Sequence, residues 1–429
     1  MDGGLFLPDH KSITARRPIE NVEIDGPLHI PLRLRRDLET HVEVAEGDRV
    51  LGGQRLARAI GPESMPVLAP TSGTIVTLKR AWTALDGYLP GAVLEPDGRN
   101  ECMPTSASWL GESFVGQLVD CGVVCPSSRA PAHSVIQAAA TAGVTDLIVN
   151  AMETEPYLTA DLRALVEEPG RLIDATCEIA DALGVYRVLF ALPFRHRRVV
   201  KRLESEAQGR HVEIAPLANR YPQCDPIVLV KTLLDREVEP GESVLDVGAA
   251  VIPLAMVRNA AVALLDGRPV TRTVMTVAGD AVDRAGTYRV AIGTPMRRLA
   301  ERVGMVCPVG QAVSGGPLTG VMLDRDDTVV TADTVALLLF QKVHQPNPEP
   351  CFHCGWCLED CPVGLDPSAL IQLESQSTLD DVSIACLRAC VDCGLCSYVC
   401  PAQLPLAASI ERTRSRYVST AETPMPQPF

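Results

Sequence analysis

Between about residues 29 and 100, apolar and polar positions alternate over short spans broken by glycine turns. His41-Val42-Glu43-Val44 alternates, Glu46-Gly47-Asp48 turns, and Val50–Gln54 follows. Pro66–Pro70, the turn Thr71-Ser72-Gly73 and Thr74–Val76 repeat the pattern. Period-two segments of this length predict strands, and their spacing predicts a small β-barrel over 29–105. The period then changes. Ser134–Ala142 reads as helix and Asp146–Asn150 as a buried strand. Thr159–Gly184 is helical with an interruption at Pro169-Gly170. Val185–Leu192 is a strand, Arg197–Glu206 a helix and His211–Ala215 a strand. Strands alternating with helices predict a Rossmann-like βαβ unit with a mainly parallel sheet over 111–237. Short β segments return over 238–340, at Thr271–Ala278, Gly286–Ile292 and Val329–Ala332, with a helix at Pro295–Arg302. Residues 1–28 carry little periodicity and read as an irregular lead-in. His344–Pro350 is a Pro-rich linker, 345–415 a cysteine-rich domain, and 416–429 a tail whose Pro-rich end, Thr423–Phe429, is expected to be disordered. The fold class is multidomain α/β plus β.

The longest apolar runs, Val188–Leu192 and Val335–Phe340, fall far short of the roughly 20 residues that span a bilayer. They read as buried strand or helix. Met1–Arg17 has no apolar segment behind a basic start, so a cytoplasmic protein is expected. The net charge of −14 over 429 residues argues against a nucleic-acid partner, which binds through Lys and Arg. Fifteen cysteines in a reducing compartment mean metal rather than disulfides, and nine of them lie between Cys351 and Cys400.

Those cysteines form a repeat. Cys351-Phe-His-Cys354-Gly-Trp-Cys357-Leu-Glu-Asp-Cys361-Pro362 recurs 39 residues later as Cys390-Val-Asp-Cys393-Gly-Leu-Cys396-Ser-Tyr-Val-Cys400-Pro401. Three thiols at this spacing wrap one [4Fe–4S] cubane, and the fourth, before proline, reaches the neighbouring cluster. One cluster is therefore assigned to Cys351, Cys354, Cys357 and Cys400, the other to Cys390, Cys393, Cys396 and Cys361. Gly355 and Gly394 stand where the backbone must pass close to the metal. Structural zinc would want paired C-x2-C ligands and leave each third cysteine unused. Cys386 reads as a buried spare, and His353 as either a hydrogen-bond donor to sulfur or a solvent-exposed side chain. Cys102, Cys177 and Cys307 have no ligand spacing.

The order of parts resembles the RnfC family, the cluster-bearing peripheral subunit of the Rnf ion-translocating oxidoreductase. The resemblance runs over nearly the whole chain. It rests on V-E-V-A-E-G-D-R-V-L-G-G-Q-R-L-A, A-P-T-S-G-T-I-V, N-A-M-E-T-E-P-Y-L-T-A-D (Asn150–Asp161), R-Y-P-Q (Arg220–Gln223), G-T-P (Gly293–Pro295), S-G-G-P-L-T-G (Ser314–Gly320) and C-S-Y-V-C-P. It implies a lipoyl-type barrel without an attachment lysine, a domain like the flavin domain of complex I, a β-grasp domain, and a helical two-cluster ferredoxin domain. It also implies electron transfer from NADH through FMN and the clusters to membrane subunits, at the cytoplasmic face of the cell membrane.

The family's flavin loop, G-x-G-G-A-G-F-P, is altered here to Asp120-Cys121-Gly122-Val123-Val124-Cys125-Pro126-Ser127-Ser128-Arg129-Ala130-Pro131. One glycine remains, Pro126 and Pro131 lack amide donors, and Arg129 is expected to fill space a flavin would need. Y-P-Q-G-G has become Tyr221-Pro222-Gln223-Cys224-Asp225, and N-V-G-T has become Pro253-Leu254-Ala255-Met256. FMN and NADH binding are thus expected to be weakened or lost, with a ferredoxin or partner flavoprotein as donor. Cys121, Cys125 and Cys224 replace flavin-loop residues. They could meet as a redox pair or metal site, but small buried fillers are the favoured reading. Glu153, Glu155 and Asp161 would face a flavin in an active member; without one they read as helix N-terminal acids. No catalytic residue is assigned. Two other readings stand beside the first: a soluble electron-delivery protein for a reductase, of the proline-reductase-associated or cobalamin-reductase type, and an FMN-dependent NADH:acceptor oxidoreductase.

Overall fold

The computed structural model describes residues 3–103, 113–343 and 345–418. The Pro-rich end Thr423–Phe429, the boundaries expected at 105 and 111, and His344 lie outside the described residues.

The N-terminal strands fold into two facing sheets. One orders Leu28–Pro31, Gly87–Pro96, Gly73–Thr83 and Arg49–Val50; the other orders Thr40–Val42, Arg55–Ala59 and Val67–Leu68. Alternation puts Leu28, Ile30, Val50, Leu56, Ile75 and Leu94 between them. These apolar faces are what close the barrel, since each strand alone is short.

The next unit is a four-stranded, all-parallel sheet in the order Val212–Leu217, Arg187–Pro193, Asp146–Asn150, Ala249–Pro253. Asp146–Asn150 is buried along its whole length, as a central parallel strand covered on both faces must be. Helices Ala132–Ala142, Pro169–Leu183 and Leu254–Asp266 supply most of one face, through Ile136, Leu172, Ile173, Ile179, Val257 and Ala260. The interruption at Pro169 is real: helix Ala160–Glu167 stops, and Pro169 starts the next, where its missing N–H costs nothing. Helix Leu254–Asp266 is an addition to the expected elements, because it is apolar nearly all round, with Arg258 and Asn259 themselves buried, and so shows no amphipathic period. Strand order reverses between Asp146–Asn150 and Ala249–Pro253, so a crevice opens beyond Asn150 and Pro253.

A third sheet is mixed and six-stranded, ordered Glu20–Asn21, Gly286–Ala291, Arg272–Ala278, Ala336–Phe340, Gln311–Ser314, Val321–Leu323, with helix Met296–Val303 on it. The strand expected at Val329–Ala332 is absent. Thr328 and Val329 make only isolated bridges, to Trp82 and Pro295, and tie the barrel to this sheet. The ladder strand is Ala336–Phe340, from the run that also read as helix.

The lead-in is irregular but not loose. Leu5 pairs with Tyr221, Gly4 N donates to Asp360 O, Tyr157 N donates to Asp9 O, and Glu20–Asn21 joins the mixed sheet in parallel. It is a strap across three units. Its correction has a physical reason: each contact is non-local and leaves no period in the sequence.

The C-terminal unit is helical, with Asp381–Ala389 and Leu406–Tyr417 meeting through Leu387 and Ile410 beside Leu370 and Leu373. Cys386 packs at its edge, partly buried.

Leu147, fully buried at the centre of the parallel sheet, reports on this architecture. Leu147→Ala is expected to cost about 3 kcal/mol, read as a lowered urea midpoint for the α/β unit.

Candidate metal centres and the adjoining cavity

The two cysteine loops share one build. Each runs through a left-handed residue (His353, φ 56°; Asp392, φ 53°), then a left-handed glycine (Gly355, φ 83°; Gly394, φ 73°), into a short helix, Trp356–Glu359 or Leu395–Val399. The positive φ values curl the chain so that the thiols at x2 spacing point to one centre.

Two small cavities lie inside these curls. One, of about 30 Å³, is lined by Cys351, Cys354, Cys357 and Cys400. The other, also of about 30 Å³, is lined by Cys361, Cys390, Cys393 and Cys396. Each thus receives three thiols from one repeat and the fourth from the other. Among the described residues no three His, Cys, Asp or Glu side chains close on a single ion. Four thiols ringing an apolar void suit a cubane rather than a lone zinc. Backbone amides point at sulfur: Leu365 N lies 3.3 Å from Cys361 Sγ and His353 N 3.4 Å from Cys351 Sγ. His353 Nδ1 stands 3.9 Å from Cys351 Sγ, so the ring is near its sulfur although the residue is exposed.

Beside them the crevice at the strand-order reversal widens into a cavity of about 1230 Å³. Its walls come from all four units: Leu85 of the barrel, Asn150, Pro253 and Arg258 of the parallel-sheet unit, the loop Ser314–Gly320, and Gly394, Ser397, Tyr398 and Cys400 of the cysteine domain. Cys400 lines both this cavity and the first thiol-ringed void.

The acidic residues are each held. Glu153 accepts from the amides of Asp161 (3.1 Å) and Leu162 (3.3 Å), so it caps helix Ala160–Glu167 from outside it. Lys11 of the strap is buried beneath and donates to Glu153 O. Asp161 sits in that helix's first turn, 3.5 Å from Arg258. Burial, and then the nearby Glu153 charge, push Asp161 up to about 7. Glu155 is not a helix acid, contrary to expectation. It accepts from Leu318 N at 3.0 Å and from the Thr319 hydroxyl, and so anchors the Ser314–Gly320 loop. A Cβ on Gly316 would lie 2.1 Å from the Glu155 carboxylate, so the bare backbone is what lets the carboxylate sit against this loop.

Two further expectations change. Arg129 does not fill the cavity; its guanidinium pairs with Asp86 and Asp333 at the margin. The replacement thiols do not gather. Cys121 and Cys125 are buried in the core of the parallel sheet, whereas Cys224 lies in a different cluster and takes a hydrogen bond from Thr154 Oγ1 at 2.9 Å. Burial pushes the Cys121 and Cys224 thiols up to about 12, which suits fillers rather than nucleophiles.

A flavin phosphate fits the cavity's chemistry poorly. Its walls carry the carboxylates of Glu153, Glu155, Asp161, Asp333, Asp392 and Glu411, and the nearby guanidinium groups, Arg258, Arg129 and Arg414, are each already beside one of them, Asp161, Asp333 and Asp392. The remaining loop glycine, Gly122, faces Leu68 and Met65 of the barrel instead of the cavity.

Comparison with known proteins agrees with this layout. Residues 126–264 match the Nuo51 FMN-binding domain, and residues 1–99 the RnfC barrel sandwich hybrid domain. The chain is 29% identical over 379 residues to a subunit of the proton-translocating ferredoxin:NAD(+) oxidoreductase complex of Clostridium ljungdahlii, covering 86% of this chain and 83% of that one. It is 29% identical over 381 residues to a subunit of the ion-translocating oxidoreductase complex of Rhodobacter capsulatus, covering 86% and 73%. A chain of an NAD+-reducing [NiFe]-hydrogenase superposes with a TM-score of 0.52 at 15% identity, over 76% of this chain and 64% of that one, a likeness of fold. The molecule is therefore a multidomain α/β protein that joins a barrel sandwich hybrid to a Nuo51-type domain. The RnfC domain match and these relatives support an RnfC-family protein.

The Asp161 environment makes stability depend on pH. The folded state holds a proton that the unfolded chain releases between about pH 4 and 7, so stability falls as pH rises through this window. Asp161→Asn is expected to flatten that slope, measured as urea midpoints at pH 5 and pH 8.

Proposed function

We propose that the chain relays single electrons through two [4Fe–4S] clusters as the RnfC-type component of an ion-translocating complex. The observation that carries this reading is the pair of voids, each ringed by one interleaved quartet of cysteines. Bound clusters would supply one-electron carriage at potentials tuned by hydrogen bonds to sulfur and by burial. The chain's own part is to hold eight thiolates, bury Cys393, and present Cys400 to the large cavity. No general acid or base is needed.

On this reading 29–105 is the lipoyl-like barrel, 111–237 the flavin-domain-like unit, 238–340 the β-grasp and 345–415 the ferredoxin domain. The partners are the membrane subunits of the complex, with a ferredoxin or flavoprotein as donor. The place of work is the cytoplasmic face of the membrane, reached by docking. Among the described residues no helix is long and apolar enough to cross one.

The clusters' electrons would come from outside, because the acid-lined cavity and the turned-away Gly122 leave an FMN phosphate without a cradle. A second reading, with FMN retained, is favoured by the cavity's volume and by the Nuo51 FMN-binding match.

Anaerobically purified protein separates the two. Iron, sulfide and flavin are measured per chain. About eight irons and no flavin are expected; a stoichiometric flavin bleached by NADH supports the second reading, and an iron-free, zinc-loaded protein overturns both. Cys354→Ser is expected to lose about half the iron, leaving the quartet of Cys361, Cys390, Cys393 and Cys396 loaded.

A further inference from the structure

The two thiol loops match in sequence but not in surroundings. The first is open. Cys354 is exposed, Phe352 and Trp356 on either side are more than half exposed, and a Cβ on Gly355 would meet nothing within 4 Å.

The second is clamped on three sides. Tyr221, 1% exposed, donates its hydroxyl to Cys393 O at 2.5 Å. The side chain rises through an apolar cluster that includes Val391, Cys393 and Leu395, with Leu5 and Leu7 of the strap packed against it. On another side the Ser314–Gly320 loop presses in. A Cβ on Gly394 would lie 2.7 Å from Leu318 O, and Leu318 is itself fixed by Glu155. On the third side the strap covers Cys361, which completes this quartet. Gly4 N donates to Asp360 O at 2.9 Å, and a Cβ on Gly3 would lie 2.2 Å from Cys361 O. The same strap bridges to Tyr221 through Leu5, with amide–carbonyl bonds in both directions (2.7 and 2.8 Å).

These contacts share a consequence. Reduction adds negative charge to a cluster, and water stabilises that charge better than an apolar wall does. A hydroxyl held on the carbonyl of a ligand residue fixes the orientation of its loop amides toward sulfur. Among the described residues nothing comparable touches the first loop.

We infer that Tyr221 and the Gly3–Gly4 segment of the strap are positioning residues that make the two centres inequivalent, holding the quartet of Cys361, Cys390, Cys393 and Cys396 better shielded from water and at the lower potential. The inference rests on the two-cluster reading above.

The test isolates each centre. Cys354→Ser removes the open centre and Cys396→Ser the clamped one, and each background is titrated anaerobically by EPR-monitored reduction with iron content determined in parallel. In the Cys354→Ser background the remaining centre is expected to titrate below the centre that remains in Cys396→Ser. Gly3→Ala, which lifts the strap from Cys361, is expected to shift it upward and speed its bleaching in air. Tyr221→Phe, which keeps the ring and removes one hydroxyl, is expected to shift it as well. In the Cys396→Ser background neither substitution is expected to move the midpoint. Equal shifts in both backgrounds, or no shift in the Cys354→Ser background, overturn the inference. If Tyr221→Phe fails to load iron, Gly3→Ala alone decides by the same comparison. A parent protein without iron–sulfur signals overturns the two-cluster reading instead.

Discussion

The arrangement of the C-terminal half depends on one constraint: each cysteine loop must lend its fourth thiol to the other. Cys361 lies near Cys390, Cys393 and Cys396, and Cys400 near Cys351, Cys354 and Cys357. This crosswise exchange closes the domain with little apolar core of its own. The helices Asp381–Ala389 and Leu406–Tyr417 meet over a small cluster around Leu387 and Ile410, which is modest support for a unit of this size. Four thiols around each void replace part of the core that the short helices cannot supply. The glycines in left-handed conformation are the local condition that lets the loops curl this tightly.

That same exchange explains why the rest of the molecule is built against one loop and not both. Val391, Cys393 and Leu395 are shared with the core under the parallel sheet, alongside Tyr221 and Leu229. The second repeat therefore docks as part of the α/β unit, while the first hangs on it through Cys361 and Cys400. Glu155 illustrates how polar groups serve this docking. A buried carboxylate is costly unless it is satisfied. Here it takes the Leu318 amide and the Thr319 hydroxyl, and so pins the loop that meets Gly394.

Much of the fold is legible in the sequence because its signals are local. Asp146–Asn150, Arg197–Glu206 and the interruption at Pro169 follow from period and punctuation within a few residues. Spacing is local only for the three thiols that curl together within each repeat; the fourth of each ring comes from the other repeat. What is not legible is non-local. The strap has no period, yet Lys11 is buried under Glu153 and Gly3 under Cys361. Val329–Ala332 has the composition of a strand but finds no ladder, because Ala336–Phe340 already fills the place beside Arg272–Ala278. Glu155 and Arg129 stand elsewhere than their sequence context suggests because a charged side chain takes its role from its partner. Those partners, Thr319 for one and Asp86 and Asp333 for the other, stand 164, 43 and 204 residues away.

The cavity's charge is the point at which fold and function diverge. Parallel sheets of this order place a ligand where the strand order reverses, and the crevice past Asn150 and Pro253 obeys that rule. Site chemistry, not fold, decides which ligand enters. An anionic phosphate needs amides or cations at the mouth. This crevice offers carboxylates on the walls, and the guanidinium that lines it, Arg258, is already beside Asp161. Lys11, buried behind the acids, donates to a backbone carbonyl, and its charge offsets part of that of Glu155 and Asp161. Two of the wall carboxylates carry cations of their own, Asp333 on Arg129 and Asp392 on Arg414, so the field inside the crevice is set by ion pairs as much as by unpaired acids.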